Sequence, residues 1–195
     1  MVQDSYDLTK RKDHREGTYV PKDIPADRVM EEVISRFPSA EKVERKGRRA
    51  EVRIAPEIVS ETLSIFRKNG YDHFVALTCI DFPEERRMGL VYHLFSYGSR
   101  VHVYLKTFID RENPVINSVV DVFRPAITYE REIKEMFGVD FPGNPRLTDF
   151  ILEDWSGPPP MRKDFDSIQY VQETFDIKVR HPKALPPKPK KGGDA

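Results

Sequence analysis

Residues 72–110 decide the fold of this chain, and they read DHFVALTCIDFPEERRMGLVYHLFSYGSRVHVYLKTFID. Three segments rich in β-branched and aromatic residues, joined by short turn-forming linkers, predict strands at about 72–82, 88–97 and 100–110. In the third segment apolar and polar residues alternate, with Val101, Val103 and Leu105 on one face and His102, Tyr104 and Lys106 on the other. This alternation is typical of an antiparallel sheet with one covered face.

The sequence on both sides of these strands has helical periodicity. Apolar residues at helical spacing predict helices at 26–37 and 56–68, and two short strands are expected between them, at 41–46 and 49–54, with a turn at Gly47. A further helical stretch is predicted over 117–137, interrupted near Pro125. The predicted fold class is therefore α+β, a mostly antiparallel sheet covered by helices and followed by an irregular C-terminal arm.

The distribution of prolines and charges divides the chain into four parts. Residues 1–24 are polar and predict an N-terminal arm, and residues 25–137 form the α+β domain. Residues 138–177 predict an irregular docking arm, because 138–165 mix prolines and glycines with aromatic and charged residues. Residues 178–195 are a Pro/Lys-rich tail, expected to be extended unless a partner holds it.

The charge balance and the hydropathy pattern exclude several classes of protein. Lys plus Arg number 32 and Asp plus Glu number 32, so the chain lacks the basic excess of a nucleic-acid-binding protein. No apolar run approaches the ~20 residues that a membrane-spanning helix needs. We therefore expect the protein to stay in the cytoplasm, and to meet a membrane only through a partner.

The residues that usually carry catalysis or bind metals do not form a recognisable constellation. Cys79 is the single cysteine and lies in an apolar strand pattern, which favours a core residue over a reactive thiol. The five histidines lack metal-binding spacing; His93 and His102 could be neighbours across two strands, and a packed pair is favoured over a metal site. No phosphate-binding loop or nucleophile elbow is present. The sequence thus predicts no catalytic, cofactor-binding or metal residues.

The stretch from Tyr129 to Asp164 contains the most informative pattern. Residues 129–137 read YEREIKEMF, an amphipathic helix in which Glu130 and Lys134, and Arg131 and Glu135, are spaced for ion pairs. The segment that follows places large apolar side chains among charges and prolines without regular periodicity. Such a segment suits an ordered protein–protein contact, although it could also wrap around its own core.

These residues resemble the soluble 30-kilodalton subunit family of respiratory complex I, called NuoC in bacteria. The family motif Glu-Arg-Glu, two residues, an acid, two apolar residues and Gly is matched by Glu130 to Gly138. A later Asp-Trp-x-Gly element and an Arg-Lys-Asp element follow in the same order, as Asp154 to Gly157 and Arg162 to Asp164. The matching motifs cover about 36 residues.

The resemblance implies a scaffold subunit that binds no redox centre. Its implied partners are a hydrogenase-like large subunit (the 49-kilodalton, NuoD-like subunit), a NuoB-like small subunit that carries iron–sulfur clusters, and the membrane arm through other subunits. Electrons would pass through these neighbours, and their energy would drive ion translocation. The expected partner-binding residues are Glu130, Arg131, Glu132, Phe137, Asp154, Trp155, Arg162, Lys163 and Asp164.

Three departures from the family pattern point to a divergent relative. Gly143-Asn144-Pro145 replaces the usual Gly-His-Pro, Thr148 replaces an expected basic residue, and the segment before Arg162 is one residue longer and lacks histidine. These changes favour an archaeal member from a hydrogenase-like or sulfur-reducing complex.

Two other classes of function remain open from the residues themselves. One is a free-standing sheet-based module that binds a ligand or RNA through Tyr92, His93, His102 and Tyr104. The other is a small independent enzyme, which would need a pocket of perturbed titrating groups.

Overall fold

The computed structural model describes residues 24–175, which form nine regular elements and two short 3₁₀ turns. In chain order the elements are α1 (Ala26–Arg36), β1 (Glu41–Lys46), β2 (Arg49–Arg53), α2 (Val59–Lys68), β3 (His73–Phe82), β4 (Arg87–Ser96), β5 (Val101–Asp110), α3 (Ala126–Phe137) and α4 (Ser167–Phe175). The three strands predicted within residues 72–110 are confirmed, as are the first two helices and the short strand pair.

The five strands form one mixed sheet in the order β1-β2-β5-β4-β3. β3, β4 and β5 pair antiparallel as predicted, and so do β1 and β2. β2 and β5 pair in parallel, from Arg49 opposite His102 to Arg53 opposite Lys106. This single parallel pairing joins the hairpin of β1 and β2 to the hairpin of β4 and β5. It brings the turns of the two hairpins, at Gly47 and at 97–100, to the same end of the sheet.

One face of the sheet is covered by the helices and forms the core. Leu90, Tyr92 and Leu94 of β4 are fully buried there, in one cluster with residues such as Met30 of α1 and Phe66 of α2. The alternate residues of the same strands are only half-buried, which is the pattern that the alternation in β5 predicted. The fold class, α+β with helices over a mostly antiparallel sheet, is therefore confirmed.

The predicted helical stretch 117–137 is wrong in its first half. Residues 117–125 form turns, and α3 begins at Ala126, directly after Pro125. Proline suits this position because it has no N–H to leave unpaired at the start of a helix. The backbone N–H of Val119 donates to the Glu130 carboxylate instead of to a helical carbonyl.

The C-terminal arm differs from its prediction at both ends. It is irregular up to residue 165 but ends in α4, and Val139 and Phe141 at its start are buried in the domain core. In the described part of the chain, no helix is long and apolar enough to cross a membrane. The predicted tail at 178–195 lies outside the described residues, and so does the predicted N-terminal arm, apart from Ile24.

Candidate functional site: the C-terminal arm and its anchors

Glu130, the first residue of the motif, is fully buried beneath the start of the arm. Its carboxylate accepts hydrogen bonds from the Ser118 hydroxyl at 2.7 Å, the Val119 N–H at 2.8 Å and the Asn144 side-chain amide at 2.7 Å. Burial raises the pKa of Glu130, and these three donors partly oppose that rise. The predicted ion pair with Lys134 does not form, since Lys134 pairs with Asp140 at 2.9 Å.

The burial of Glu130 corrects its predicted role. The family resemblance implied that this carboxylate binds a partner, but in the structure it is buried and ties two loops to α3. Asn144 stands where the family usually has histidine, and its amide supplies one of the donors. This departure from the family pattern is therefore accommodated by a hydrogen bond inside the chain.

Arg131 and Glu135 hold the segment 148–152, which we call the clamped loop. The Arg131 guanidinium donates to the carbonyls of Thr148 and Asp149 and lies 4.8 Å from the centre of the Phe150 ring. Glu135 accepts from the backbone N–H groups of 150, 151 and 152, at 2.8, 2.9 and 3.2 Å. Burial opposes ionisation of Glu135, but these bonds outweigh it and lower its pKa.

Arg131 and Glu135 lie one helical turn apart on α3, and this spacing lets both side chains reach the clamped loop. The two side chains were predicted to pair with each other, yet both point their polar atoms at the backbone of the loop. Hydrogen bonds that involve a charged group are about twice as strong as neutral ones. An otherwise irregular segment is therefore held in one conformation by a short stretch of α3.

The arm crosses the C-terminal end of α3 at Gly138. Gly138 has φ +78° and caps the helix, donating its N–H to the Lys134 carbonyl at 2.8 Å. The Met161 N–H donates to Met136 and the Arg162 Nε donates to Phe137, both to carbonyl oxygens, at 2.9 and 2.8 Å. Arg162, predicted to bind a partner, thus satisfies a carbonyl at the end of the helix.

We expect Gly138→Ala to destabilise the protein more than Gly47→Ala. Both glycines have a left-handed φ, which costs about 1–2 kcal/mol for a residue with a Cβ. At Gly138 a Cβ would also lie 3.0 Å from the Pro159 side chain, whereas at Gly47 it would meet nothing within 4 Å. Urea unfolding of the two variants measures the difference. Equal losses of stability would contradict a close approach of the arm to α3.

A buried ion pair fastens the far part of the arm to the sheet. Arg111, just after β5, donates from Nε and Nη2 to the two carboxylate oxygens of Asp81 in β3, at 2.7 and 3.0 Å. Arg111 also lies 2.9 Å from the Asp164 carboxylate, and the Lys163 N–H donates to Asp81 at 2.9 Å. The hydrogen bond from Arg111 is the main cause that lowers the pKa of Asp81.

Sequence reasoning missed this anchor because Asp81 and Lys163 lie 82 residues apart. One signal was available: a charged residue stands near the end of each of two apolar strands, at Asp81 and at Arg111. Asp164 was predicted to contact a partner, and 60% of its side chain is exposed although it pairs with Arg111. It therefore contributes to the anchor and to the surface.

Trp155 lies inside the arm and joins α4 to it. Its indole N–H donates to the Pro158 carbonyl at 3.1 Å, and its ring lies 6.0 Å from Phe165 and 4.8 Å from Tyr170, between centroids. Gly157 is needed beside it, because a Cβ there would lie 2.7 Å from the Tyr170 ring. The predicted anchor tryptophan is thus half-buried within the chain.

The outer surface of the arm combines exposed apolar side chains with charges. Four of the eight large exposed apolar residues in the described part of the chain lie on it: Phe150 (39%), Ile151 (53%), Met161 (56%) and Phe175 (60%). Among the predicted partner-binding residues, Glu132, Asp154 and Lys163 are exposed, whereas Phe137 packs partly against the core. Exposed apolar groups rimmed by charges are typical of an interaction surface.

The other candidates from the sequence are the strand histidines with their neighbouring tyrosines, and Cys79. His93 and His102 are neighbours, with ring nitrogens 2.8 Å apart, and Tyr104 stacks on His93; Tyr92, grouped with them from the sequence, is instead buried on the opposite face. Burial raises the pKa of the Cys79 thiol to about 12, which agrees with a core residue. Within residues 24–175, no group of three or more His, Cys, Asp or Glu is placed to hold a metal.

The fold and the arm together define a class of protein: an α+β domain whose C-terminal segment is fastened to helix α3 by Glu130, Arg131 and Glu135, and to the sheet by the ion pair of Asp81 and Arg111. The sequence model of the respiratory-chain NADH dehydrogenase 30-kilodalton subunit matches residues 52–171. The chain belongs to this family, which confirms the resemblance drawn from the motifs.

Two curated relatives and two solved structures show how far the similarity extends. One relative is a subunit of the NADH-quinone oxidoreductase of Moorella thermoacetica, 32% identical over 71% of this chain and 94% of its own length. Another is a subunit of the F420H2 dehydrogenase of Methanosarcina mazei, 31% identical over 72% and 91%. A chain of the membrane-bound sulfane sulfur reductase, an archaeal respiratory membrane complex, has a TM-score of 0.71 at 32% identity, over 80% of this chain and 95% of that one.

The second structure supports the fold alone. A trypsin-resistant fragment of Nqo5 superposes with a TM-score of 0.55 at 23% identity, over 62% of this chain and 98% of the fragment.

Proposed function

We propose that this chain is a non-catalytic, cofactor-free scaffold subunit of a complex I-like, membrane-bound oxidoreductase. Its relatives are subunits of an NADH-quinone oxidoreductase, an F420H2 dehydrogenase and a sulfane sulfur reductase, which supports a role within a redox assembly. The chain would attach peripherally, on the cytoplasmic side, through its partners. Electrons would pass through iron–sulfur clusters in neighbouring subunits, coupled there to ion translocation.

The partner proposed for the arm is the hydrogenase-like large subunit, with the iron–sulfur small subunit beside it. The observation that carries this proposal is that Ile151 and Met161 are more than half exposed although their backbone is held against α3. The Ile151 N–H donates to the Glu135 carboxylate, and the Met161 N–H donates to the Met136 carbonyl. A preorganised segment loses little conformational entropy when it binds. The buried side chains of Glu130, Asp81 and Arg111 thus act indirectly, because they hold the arm in the shape that its partner recognises.

Residues that hold the arm in its conformation cannot test docking, whereas exposed residues on its surface can. Trp155 and Arg162 are unsuitable, because both stabilise the arm itself through hydrogen bonds to its backbone or to α3. Ile151 and Met161 make no side-chain hydrogen bond and are 53% and 56% exposed. Glutamate at these two positions places charges in the proposed interface and leaves the anchors intact.

We expect Ile151→Glu/Met161→Glu to fold normally but to be lost from the complex purified through the large subunit. Two carboxylates buried against a partner without counter-charges would be strongly unfavourable. Val43→Glu/Ile80→Glu is the matched control, since these residues are 43% and 42% exposed, lie outside the arm and introduce the same charge. Circular dichroism of each free variant verifies folding. Normal recovery of the Ile151/Met161 variant in the complex would overturn the proposal.

A further inference from the structure

The parallel pairing of β2 with β5 brings cations and aromatic rings together at one end of the sheet. The turn after β1 lies beside the turn after β4, and the His102 N–H donates to the Arg48 carbonyl at 2.8 Å. Seven residues line one shallow depression of about 750 Å³ here, and we call them the turn-end patch: Lys46, Arg48, Arg49, Phe95, Tyr97, Arg100 and His102.

The four cations of the turn-end patch are not neutralised by the rest of the described chain. Lys46, Arg48, Arg49 and Arg100 are all exposed, and none makes an ion pair with a carboxylate in the part that the structure describes. Lys46 and Arg49 even stand directly opposite each other across β1 and β2. Like charges opposite each other destabilise a strand pair. A bound anion would relieve this repulsion.

The patch contains three neighbouring aromatic rings, with Phe95 between the other two. Phe95 lies 5.0 Å from Tyr97 in an edge-to-face arrangement and 4.6 Å from the His102 ring, between centroids. Tyr97 is 69% exposed, the largest exposure among the large apolar side chains of residues 24–175. Aromatic residues and arginine are the types enriched at the centres of protein–protein interfaces.

The shape of the patch favours a macromolecular partner over a small ligand. Small-molecule sites bury about 70–90% of their ligand. A depression whose most prominent ring is 69% exposed does not enclose a small ligand to that extent. An extended chain segment could lie across it and contact both turns at once.

We infer that the turn-end patch is a second docking surface, and that it binds an acidic segment of a partner protein. Guanidinium groups bind carboxylates in a two-pronged geometry, which the three arginines of the patch could use. Four cations on a chain of zero net charge form a small site, suited to a few carboxylates, whereas nucleic-acid binding needs an extended basic surface.

The patch is separate from the arm. It lies at the start of β5, whereas Asp81 and Arg111 anchor the arm at the end of β3 and just after β5. A strand of 10 residues spans about 30 Å. The chain could therefore hold two partners at once, one at each end of the sheet. This inference does not depend on the identity of the protein that binds the arm.

The test is titration of the full chain with labelled synthetic peptides, followed by fluorescence anisotropy at low and high salt. The probes are a 12-residue peptide of glutamates with one central phenylalanine, the same peptide with glutamine for glutamate, and a 12-nucleotide single-stranded DNA. We expect salt-sensitive binding of the glutamate peptide only. Arg48→Glu/Arg100→Glu should weaken that binding at least about tenfold, since each 1.4 kcal/mol of lost interaction changes an affinity tenfold.

The matched control is Arg124→Glu/Arg146→Glu, which changes the net charge equally through two exposed arginines outside the patch. We expect the control to bind the glutamate peptide like the unmodified chain. Equal weakening in both variants would mean attraction by net charge alone and would overturn the inference. So would equal binding of the glutamine peptide, or tighter binding of the DNA. Failure of the Ile151/Met161 experiment would leave this result unchanged.

Discussion

Arg111→Ala is expected to lower the free energy of unfolding by about 3–5 kcal/mol, because it leaves a buried carboxylate without its counter-charge. Asp81 is 2% exposed and Arg111 is 8% exposed, so water cannot replace the lost partner easily. Asp164 would lose its ion pair too, and the far part of the arm would keep only its hydrogen bonds near 161–163, such as that of the Arg162 side chain with the Phe137 carbonyl. Urea unfolding followed by circular dichroism measures the loss.

A matched substitution separates burial from ion pairing as such. Arg53 pairs with Glu41 at 3.3 Å, but the two side chains are 50% and 67% exposed. Arg53→Ala should therefore cost no more than about 1 kcal/mol through the lost ion pair, the usual range for exposed pairs. If the Arg111 and Arg53 variants lost the same stability, the buried pair would not be the anchor that we describe.

The pH dependence of the free energy of unfolding at acidic pH gives an independent measure of how Asp81 stabilises the protein. Its pKa is lowered in the folded protein, so it binds a proton less readily there than in the unfolded chain. The stability from its ionised form is present above the unfolded value of about 3.9 and is lost as the pH falls through the lowered folded value. Arg111→Ala removes the main cause of the lowered pKa of Asp81. The difference in free energy of unfolding between this variant and the unmodified chain should therefore decrease in that acidic range.

The sequence predicted those parts of the fold that depend on local patterns. Alternation in residues 100–110 and the short linkers at 83–87 and 97–99 predicted the antiparallel strands, and the structure confirms them. The pairing of β2 with β5 was not predicted, since nothing local in residues 49–53 distinguishes a parallel partner from an antiparallel one. The turn-end patch depends on that pairing, so sequence reasoning could not assemble it.

The roles of the motif residues were harder to predict than their presence. The family resemblance placed Glu130 among the partner-binding residues, and the amphipathic pattern of the helix does not show that one of its carboxylates is buried. The loop residues that bury it, at 118, 119 and 144, lie outside the helix and show no periodicity. Glu132, two positions after Glu130 on the same helix, is exposed, so two glutamates of one helix have opposite environments.

Glu130→Ala is expected to destabilise the protein by about 2–4 kcal/mol, since a buried donor left without an acceptor costs about 1–3 kcal/mol. Three donors would lose the same acceptor: the Ser118 hydroxyl, the Val119 N–H and the Asn144 amide. Glu132→Ala, an exposed neighbour on α3, should change stability by no more than about 0.5 kcal/mol. Urea unfolding of the two variants compares them directly, and similar losses would contradict an internal role for Glu130.

Glu130→Gln distinguishes the charge of this residue from its hydrogen bonds. The glutamine oxygen can still accept, but its NH2 group would face one of the three donors, so we expect a loss smaller than that of alanine. Burial raises the pKa of Glu130, so the folded protein holds this proton more tightly than the unfolded chain does. Stability from this group is thus full below the unfolded pKa of about 4.3 and is lost as the pH rises through the folded value. The difference in free energy of unfolding between the unmodified chain and Glu130→Gln should therefore decrease as the pH rises through that range. An increase would mean that the hydrogen-bond donors stabilise the ionised carboxylate by more than burial destabilises it.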